Sequence, residues 1–272
     1  MLWAIIITSL ITIAIFLPIA IWAARQEEKG RLILLEPLVT CTEKYRAVRF
    51  LGDEKQTKKY LLTLKSALAH DDSALEILLR QIECQPDGPI ERATAGETRS
   101  LKLFGQIREL EINGKTVLVG FGLPIELKET TEIPEEFLEQ AKLLGKNGYL
   151  ILALTANQKF KGMVVLEPVV SERIIKLIRP TDQVKIVGRA EKIYAAWLYQ
   201  KITNRPVNEI ASQQTLDVEK SVKAWEAQAL SAEVIAEVDL KTRYHLVRLF
   251  ATREKCLLVS DDPEDKQLPL PN

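Results

Sequence analysis

Histidine and cysteine are scarce in this sequence, which has 272 residues, two histidines and three cysteines. Cys41, Cys84 and Cys256 lie far apart and form no CxxC pair, so their spacing indicates neither a zinc site nor a disulfide framework. A reduced, cytosol-facing compartment is the simplest interpretation of this cysteine usage. Two histidines are also too few for histidine-rich metal chemistry, and we predict no metal site.

A net charge of either sign is lacking as well, because 37 lysines and arginines balance 37 aspartates and glutamates. Nucleic-acid binding usually depends on a clustered cationic surface, so we predict no nucleic-acid partner. The P-loop, GxGxxG, GxSxG, HExxH and EF-hand patterns are absent too. We therefore predict no catalytic residue, no cofactor-binding residue and no cofactor.

One long uncharged run is present near the N-terminus. Residues 2–24 carry no charged side chain, and at a rise of about 1.5 Å per residue a helix of this length spans the hydrocarbon core of a bilayer. Trp3 and Trp22 lie near its ends, and Arg25 and Lys29 follow it. The positive-inside rule then predicts a single-pass membrane anchor with the C-terminal domain in the cytoplasm. A cleaved signal peptide is the alternative, but its basic start and small-x-small cleavage site are unconvincing here.

Beyond the anchor, the first half of the chain shows helices and two hairpins. We predict a buried strand at 47–51, an amphipathic helix at 73–82 and a helix at 134–144. Residues 100–120 alternate in polarity around Asn113-Gly114, which is a strong hairpin signal. A second hairpin is predicted between 149–156 and 160–166, with its turn at Asn157-Gln158.

From residue 168 onward, helices and strands alternate strictly. Helices are predicted at 171–178, 190–202, 217–230 and 240–250, and strands at 183–187, 234–238 and 256–259. This order favours a mostly parallel sheet covered on both faces. The predicted fold class is therefore α/β: an N-terminal transmembrane helix, then a Rossmann-like parallel sheet domain that is interrupted by an inserted α+β lobe with antiparallel hairpins.

This order of elements resembles the cytoplasmic unit of a P-type ATPase and is most similar to the heavy-metal subfamily. RQEEKGRLILLEPL resembles the stretch after the membrane helix, YRAVRF the strand before the phosphorylated Asp of DKTGT, INGKTVLVG a hairpin of the nucleotide lobe, and CLLVSDDPED the strand that carries TGDGxND. The resemblance implies a haloacid-dehalogenase-like phosphorylation domain with an inserted nucleotide-binding-like lobe. The implied parts are an anchor at 1–24, a phosphorylation-like domain at 25–60 and 168–262, an inserted lobe at 61–167 and a flexible tail at 263–272.

The nucleophile of this family is missing from the aligned position. Attack on a γ-phosphate needs a carboxylate at the strand end, but alignment on YRAVRF places Leu51 there. The resemblance also implies that the strands ending at Leu51, Val187 and Val259 are neighbours in one sheet, with their carboxyl ends on one edge. Asp53 is the nearest acidic residue, and we interpret it as a solvated loop acid rather than as a displaced nucleophile.

The other phosphate and magnesium positions are altered as well. Val187 stands where the family has Thr, and Arg189 stands where it has Asp. Arg243 matches a lysine that balances the phosphate charge, and a surface arginine is the equal alternative. Asp262 matches an Asp of the magnesium loop, but Lys266 replaces the following carboxylate. A solvated acidic tail is the favoured interpretation, and weak binding of a divalent ion is the alternative.

The nucleotide lobe lacks its expected contacts in the same way. Ser73-Ala74 replaces a His-Pro pair near the adenine, His70 is interpreted as a surface residue, and Gly96 is the one glycine of the expected glycine-rich stretch. We therefore predict a pseudoenzyme that acts as a subunit, assembly factor or regulator of a membrane protein complex, with the lipid bilayer as a further partner. Two alternatives remain open: a nucleotide sensor without hydrolysis, for which nucleotide is a possible ligand, and a residual phosphohydrolase or ATPase.

Overall fold

A computed structural model describes residues 30–67, 73–86, 90, 93–219, 221–253 and 256–267. The predicted anchor at 2–24 and His70 lie outside the described residues. Within those ranges, no helix has both the length and the apolar character needed to cross a bilayer.

Twelve strands and nine α-helices are assigned in the described ranges. The strands are β1 (Leu32–Leu35), β2 (Thr42–Gly52), β3 (Ile82–Glu83), β4 (Ala93–Ser100), β5 (Gln106–Ile112), β6 (Lys115–Gly122), β7 (Leu150–Ala156), β8 (Lys159–Val170), β9 (Gln183–Val187), β10 (Ile210–Ser212), β11 (Val234–Ala236) and β12 (Cys256–Val259). The helices are α1 (Glu54–Ala67), α2 (Ala74–Gln81), α3 (Pro124–Leu127), α4 (Glu135–Lys146), α5 (Glu172–Leu177), α6 (Lys192–Thr203), α7 (Gln213–Asp217), α8 (Val222–Ser231) and α9 (Leu240–Arg253), and a short 3-10 helix follows at Pro263–Gln267.

The strands form two sheets, and the α/β class with a parallel sheet is confirmed. Sheet A is parallel, with the order β10-β11-β9-β1-β12, and sheet B is mixed, with the order β3-β2-β8-β7-β6-β5-β4. The chain leaves sheet A after β1, builds sheet B, and returns to sheet A at β9. Sheet B is thus an insertion in the connection between two neighbouring strands of sheet A, and its strands extend from Thr42 to Val170.

β1 is an interior strand of sheet A, and all four of its residues are apolar. Its four residues are buried, as is typical of a parallel strand that is covered on both faces. Ile33 and Leu35 belong to the core that α6 and sheet B share, whereas Leu32 and Leu34 pack in the smaller core that includes Leu246 of α9. β1 pairs in parallel with β9 on one side and with β12 on the other.

Both predicted hairpins are confirmed. Asn113 and Gly114 have φ values of 52° and 73° between β5 and β6, and Asn157 and Gln158 have values of 49° and 59° between β7 and β8. Two successive residues with positive φ are what a two-residue turn of type I′ requires. The predicted strands at 183–187 and 256–259 also coincide with β9 and β12.

The expectation that the strand ending at Leu51 lies beside those ending at Val187 and Val259 is wrong. That strand belongs to β2, which pairs antiparallel with β8 in sheet B and places Leu51 opposite Met163. β2 combines buried residues such as Tyr45 and Leu51 with exposed ones such as Arg49, as is typical of an antiparallel strand with one solvated side. The place between β9 and β12 is taken by β1. The resemblance assigns β1 to the stretch that follows the anchor.

A buried group of hydroxyls connects the two sheets. The Tyr45 hydroxyl of β2 donates to the Leu38 carbonyl oxygen at 2.6 Å and lies 3.2 Å from the Tyr194 hydroxyl of α6. The Tyr194 hydroxyl also lies 3.3 Å from the Thr42 hydroxyl. These contacts hold the loop after β1 against both the inserted sheet and a helix that covers sheet A.

Candidate functional site at the carboxyl edge of sheet A

Glu36 follows β1 directly and lies at the carboxyl edge of sheet A, which is the edge where open α/β sheets bind ligands. Its side chain turns back onto the loop that it begins. One carboxylate oxygen accepts the Leu38 N–H at 2.9 Å, and the other accepts the N–H groups of Val39 and Thr40 at 2.8 and 3.2 Å. Successive backbone N–H groups of this kind form an anion-binding concavity. Here the carboxylate of the chain itself fills it.

The burial of Glu36 is complete enough to change its acidity. The residue is 1% exposed, and its burial raises the pKa of the carboxyl group. The positive charge of Arg243 and the backbone N–H donors offset this effect only in part. The residue is therefore neither a solvated carboxylate nor one that an incoming substrate would meet.

Two arginines lie beside Glu36 within one network of ion pairs. Arg189, in the loop after β9, pairs with Asp262 and, at 2.7 Å, with Glu264. Arg243 of α9 lies 3.3 Å from Asp262 and also pairs with Asp265. The side chains of Arg243 and Asp262 are fully buried, so neither charge is exposed to solvent. We call these five side chains, Arg189, Arg243, Asp262, Glu264 and Asp265, the ion network.

The charged groups of the ion network pair with one another. Each guanidinium group contacts two carboxylates, and one of these, that of Asp262, is shared between them. Such pairing offsets the cost of removing charges from water. Each of the two arginines therefore has a carboxylate partner. In the described residues, no group of three or more His, Cys, Asp or Glu side chains is placed to hold a metal ion.

The position next to β9 is closed by packing. A Cβ atom on Gly188 would lie 2.5 Å from Cδ of Pro37, which is closer than such atoms approach. Val187, which precedes it, carries no hydroxyl group and is buried. The edge between β1 and β9 is thus filled by apolar atoms where the resemblance leads one to expect a phosphate-binding hydroxyl.

The network extends to the inserted lobe. Nη1 of Arg189 donates to the Leu103 carbonyl oxygen at 3.3 Å. The N–H groups of Leu103, Phe104 and Gly105 in turn donate to the Glu126 carboxylate at 2.6, 2.9 and 2.9 Å. The Glu126 carboxylate therefore fills a second group of backbone N–H donors. Arg189 connects the loop that carries them to the ion network.

Glu191 is a further acidic residue of this region, and it is close enough to Glu126 and Glu237 to be affected by their charges. Burial raises the pKa of the Glu191 carboxyl to about 7, and the negative charges of Glu237 and Glu126 add to this effect. Glu191 begins α6 without capping the helix through its side chain. Its carboxyl group is therefore placed to change its charge near neutral pH.

The structure brings Arg243 and Asp262 together at the carboxyl edge of sheet A and places Leu51 and Asp53 elsewhere. Leu51 is buried in sheet B, and Asp53 is an exposed residue that accepts the Gln56 N–H at 3.0 Å at the start of α1. Arg243 is fully buried beside Asp262, so its interpretation as a surface arginine is wrong. The expectation of a solvated acidic tail is also wrong for Asp262, because buried arginines hold it, whereas Asp261 is exposed.

The suggested nucleotide contacts have local roles in the fold. Ser73 caps α2 by accepting the Glu76 N–H at 3.3 Å. Gly96 lies in the exposed strand β4, and a Cβ atom there would lie 3.2 Å from the side chain of Glu109. A cavity of about 500 Å³ beside this strand is lined by Glu97, Arg99, Glu109 and Glu129 among others. Three carboxylates and one arginine are an unfavourable lining for a triphosphate.

Sequence reasoning missed Glu36, although a signal was present. Four consecutive apolar residues at 32–35 end directly at an acidic residue, which is the pattern of a fully buried parallel strand followed by a side chain at its carboxyl edge. The pairing of Arg189 has no comparable signal, because Asp262 lies 73 positions further along the chain.

We expect Arg243→Met to lower the free energy of unfolding by about 3–5 kcal/mol, since it leaves Asp262 and Asp265 buried without one of their partners. Urea unfolding of the full-length chain in mild detergent, followed by tryptophan fluorescence, measures this. Arg253→Met on the same helix is the matched control. Arg253 pairs with Glu226 at a site where the two side chains are 50% and 29% exposed, so a loss of about 1 kcal/mol or less is expected. Equal losses for both variants would contradict the assignment.

We expect Glu191→Gln to stabilise the fold at alkaline pH but not at acidic pH. The pKa of Glu191 is about 7 in the folded chain against an ordinary 4.5, so the folded state holds a proton in this window that the unfolded state has lost. Stability therefore falls as pH rises from 4.5 to 7, and the variant escapes a loss of up to about 3 kcal/mol above this window. Unfolding curves across pH measure the difference. Glu172→Gln, at an exposed glutamate, is the control, and a pH-independent gap between Glu191→Gln and the native chain would refute the role of Glu191.

No family model matches this chain, and no curated protein matches it either. A role for the carboxyl edge of sheet A is therefore inferred from its side chains. There the Glu36 carboxylate accepts backbone N–H groups of its own loop, the side chains of the ion network pair with one another, and Pro37 closes the neighbouring gap. Nε of Arg189 and Nε of Arg243 are buried without a hydrogen-bond partner in the described residues.

Proposed function

We propose that this protein is a membrane-anchored, catalytically degenerate relative of the P-type ATPase cytoplasmic unit that acts through binding. Its role would be that of a subunit, assembly factor or regulator of a membrane protein complex. One observation carries the proposal: at the carboxyl edge of sheet A, the anion-binding concavity and both arginines are occupied by the chain's own carboxylates.

The strand ending at Leu51 lies in sheet B and cannot carry the family's nucleophile, so in this proposal the motif is aligned on β1 instead. Glu36 stands at the strand end where the family has the Asp of DKTGT, and the residues that follow are EPLVT rather than DKTGT. Thr40 keeps the last hydroxyl of that motif, but its oxygen accepts the Asp261 N–H at 2.7 Å. A carboxylate that attacks a phosphate must be exposed in line with the leaving group, whereas that of Glu36 is buried and bonded to three N–H groups.

The remaining motif positions support the same proposal. Arg243 takes the place of the phosphate-balancing lysine, and its charge is used by Asp262 and Asp265. Asp262, at the magnesium-loop position, faces two guanidinium groups, which oppose the approach of a divalent cation. In this proposal the fold is kept, while the charged side chains at the motif positions pair with one another and not with a ligand.

The apolar run at 2–24 supports a membrane location for this domain. A single uncharged helix offers no side chain for ion coordination or proton transfer. It would hold the soluble domain at the cytoplasmic face of a membrane and offer a surface for lateral packing with the helices of a partner.

Incubation with magnesium and ATP labelled at the γ-phosphate is expected to leave no acid-stable label on the full-length chain above a boiled control. The physical reason is that the Glu36 carboxylate is buried and bonded to backbone N–H groups, and that Asp53 lies outside sheet A. Glu36→Ala and Asp53→Ala are the matched variants. A label that disappears in either one would overturn the pseudoenzyme proposal and establish the residual enzyme. Binding of ATP without any label, measured by calorimetry, would favour the nucleotide sensor instead.

Gentle affinity purification of the tagged full-length chain from its native membrane is expected to recover a stoichiometric protein partner, which mass spectrometry identifies. A tagged peptide of residues 1–29 is the control, because it retains the apolar run but lacks the soluble domain. A partner that requires residues 30–272 supports binding through the folded domain. A solitary chain would contradict the role of a subunit or assembly factor.

A further inference from the structure

Two arginines hold one buried carboxylate at the amino edge of sheet A, opposite the ion network, and a third arginine lies beside them. Arg31 donates to Asp182 through its N–H at 2.9 Å and through its guanidinium group at 3.1 Å. The Arg179 N–H donates to the same carboxylate at 3.0 Å, and Nε of Arg179 lies 3.9 Å from it. Burial alone would raise the pKa of Asp182, but these hydrogen bonds lower it to about 2, so the carboxylate is ionised at neutral pH.

Arg205 completes the group without a carboxylate of its own. Its guanidinium group donates to the carbonyl oxygens of Pro180 and Asp182 at 2.6 and 3.2 Å. No ion pair within the described part of the chain includes it. Glu233 lines the same cleft but accepts hydrogen bonds from the Asn208 side chain at 2.9 Å and the Glu209 N–H at 2.8 Å. We call Arg31, Arg179 and Arg205 the amino-edge arginines.

The amino-edge arginines carry a surplus of positive charge. Arg31 and Arg179 share the charge of Asp182, whose side chain is fully buried. Arg205 donates to backbone carbonyl oxygens, and Glu233 is the other carboxylate of this cleft, so three arginines face two carboxylates. Arg205 is exposed, and the side chain of Arg179 is 56% exposed. In the ion network at the opposite edge, by contrast, two arginines meet three carboxylates. An arginine that keeps free N–H donors is well suited to bind a phosphate group in a bidentate manner.

The path of the chain places this charge near the proposed anchor. A Cβ atom on Gly30 would lie 1.6 Å from the Thr181 carbonyl oxygen, so the chain meets the turn at 179–182 in direct contact before β1 begins. Five residues, 25–29, separate Gly30 from the apolar run. Fully extended, they span at most about 18 Å, and the headgroup layer adds roughly 5–8 Å to each side of the hydrocarbon core. The amino-edge arginines are therefore within reach of lipid phosphates.

We infer that the amino-edge arginines bind the phosphates of anionic lipid headgroups and hold sheet A with its amino edge against the membrane. This inference rests on the proposed membrane anchor. The carboxyl edge with the ion network then faces away from the bilayer.

The test uses the full-length chain in nanodiscs of phosphatidylcholine alone or of phosphatidylcholine mixed with phosphatidylglycerol. Amide hydrogen exchange of the turns at 178–182 and 204–209 is followed by mass spectrometry. We expect exchange there to slow about fivefold or more in the anionic discs, the size expected for one basic side chain at an anionic surface. Arg179→Glu with Arg205→Glu should abolish this slowing, while Arg179→Lys with Arg205→Lys should keep part of it.

Arg46→Glu with Arg49→Glu is the matched control, because it changes the charge equally at two exposed positions of β2 in sheet B. It should leave the slowing intact. Equal exchange in both lipids, or equal loss in both reversed pairs, would overturn the inference.

Extraction with alkaline carbonate separates this result from the anchor. A chain that resists extraction but shows no lipid dependence keeps the anchor and refutes the headgroup contact. A chain that is extracted refutes the anchor, and anionic discs added to it then decide the contact by the same exchange measurement.

Discussion

The pairing of two buried arginines with Asp262 is the interaction on which the carboxyl edge of sheet A depends. Arg189 comes from the loop after β9, Arg243 from α9, and Asp262 from the segment after β12. No one of these charges is tolerable in the interior alone. The three segments must therefore fold together, and the 3-10 helix at Pro263–Gln267 is held in the same way through Asp265. Arg189 adds the inserted lobe through the Leu103 carbonyl oxygen.

A catalytic site and a self-paired network make opposite demands on the same side chains. A site for phosphate and magnesium must leave donors and carboxylates unpaired until the ligand arrives, and this lowers the stability of the empty fold. Here Glu36 fills the N–H groups of 38–40, and Asp262 faces guanidinium groups instead of a cation. Under the proposed function no ligand is needed here, and internal pairing is then the more stable use of the same positions.

The hairpins, β9 and β12 were predictable because their signals are local. Asn113-Gly114 carries its turn geometry in two adjacent residues, and the run at 256–259 is apolar between polar flanks. β1 and β2 were confused because both contain apolar residues, and the choice between them depends on partners more than a hundred positions away. The burial of Arg243 was equally beyond local pattern. An arginine on a helix predicts a solvated side chain unless the distant carboxylates that enclose it are known.

The two edges of sheet A differ in how their charge is balanced, and this difference bears on how the domain is used. At the carboxyl edge the arginines are matched by carboxylates and withdrawn from solvent, so this edge contributes stability and little long-range field. At the amino edge Arg31 and Arg179 share Asp182, and Arg205 has only backbone carbonyl partners. Arg179 and Arg205 are exposed. A domain held by that edge at a bilayer would present the inserted lobe and the carboxyl edge, where the arginines are paired with carboxylates, on the side away from the membrane. Under the proposed function, partner recognition would then fall to the surfaces of sheet B and its helices.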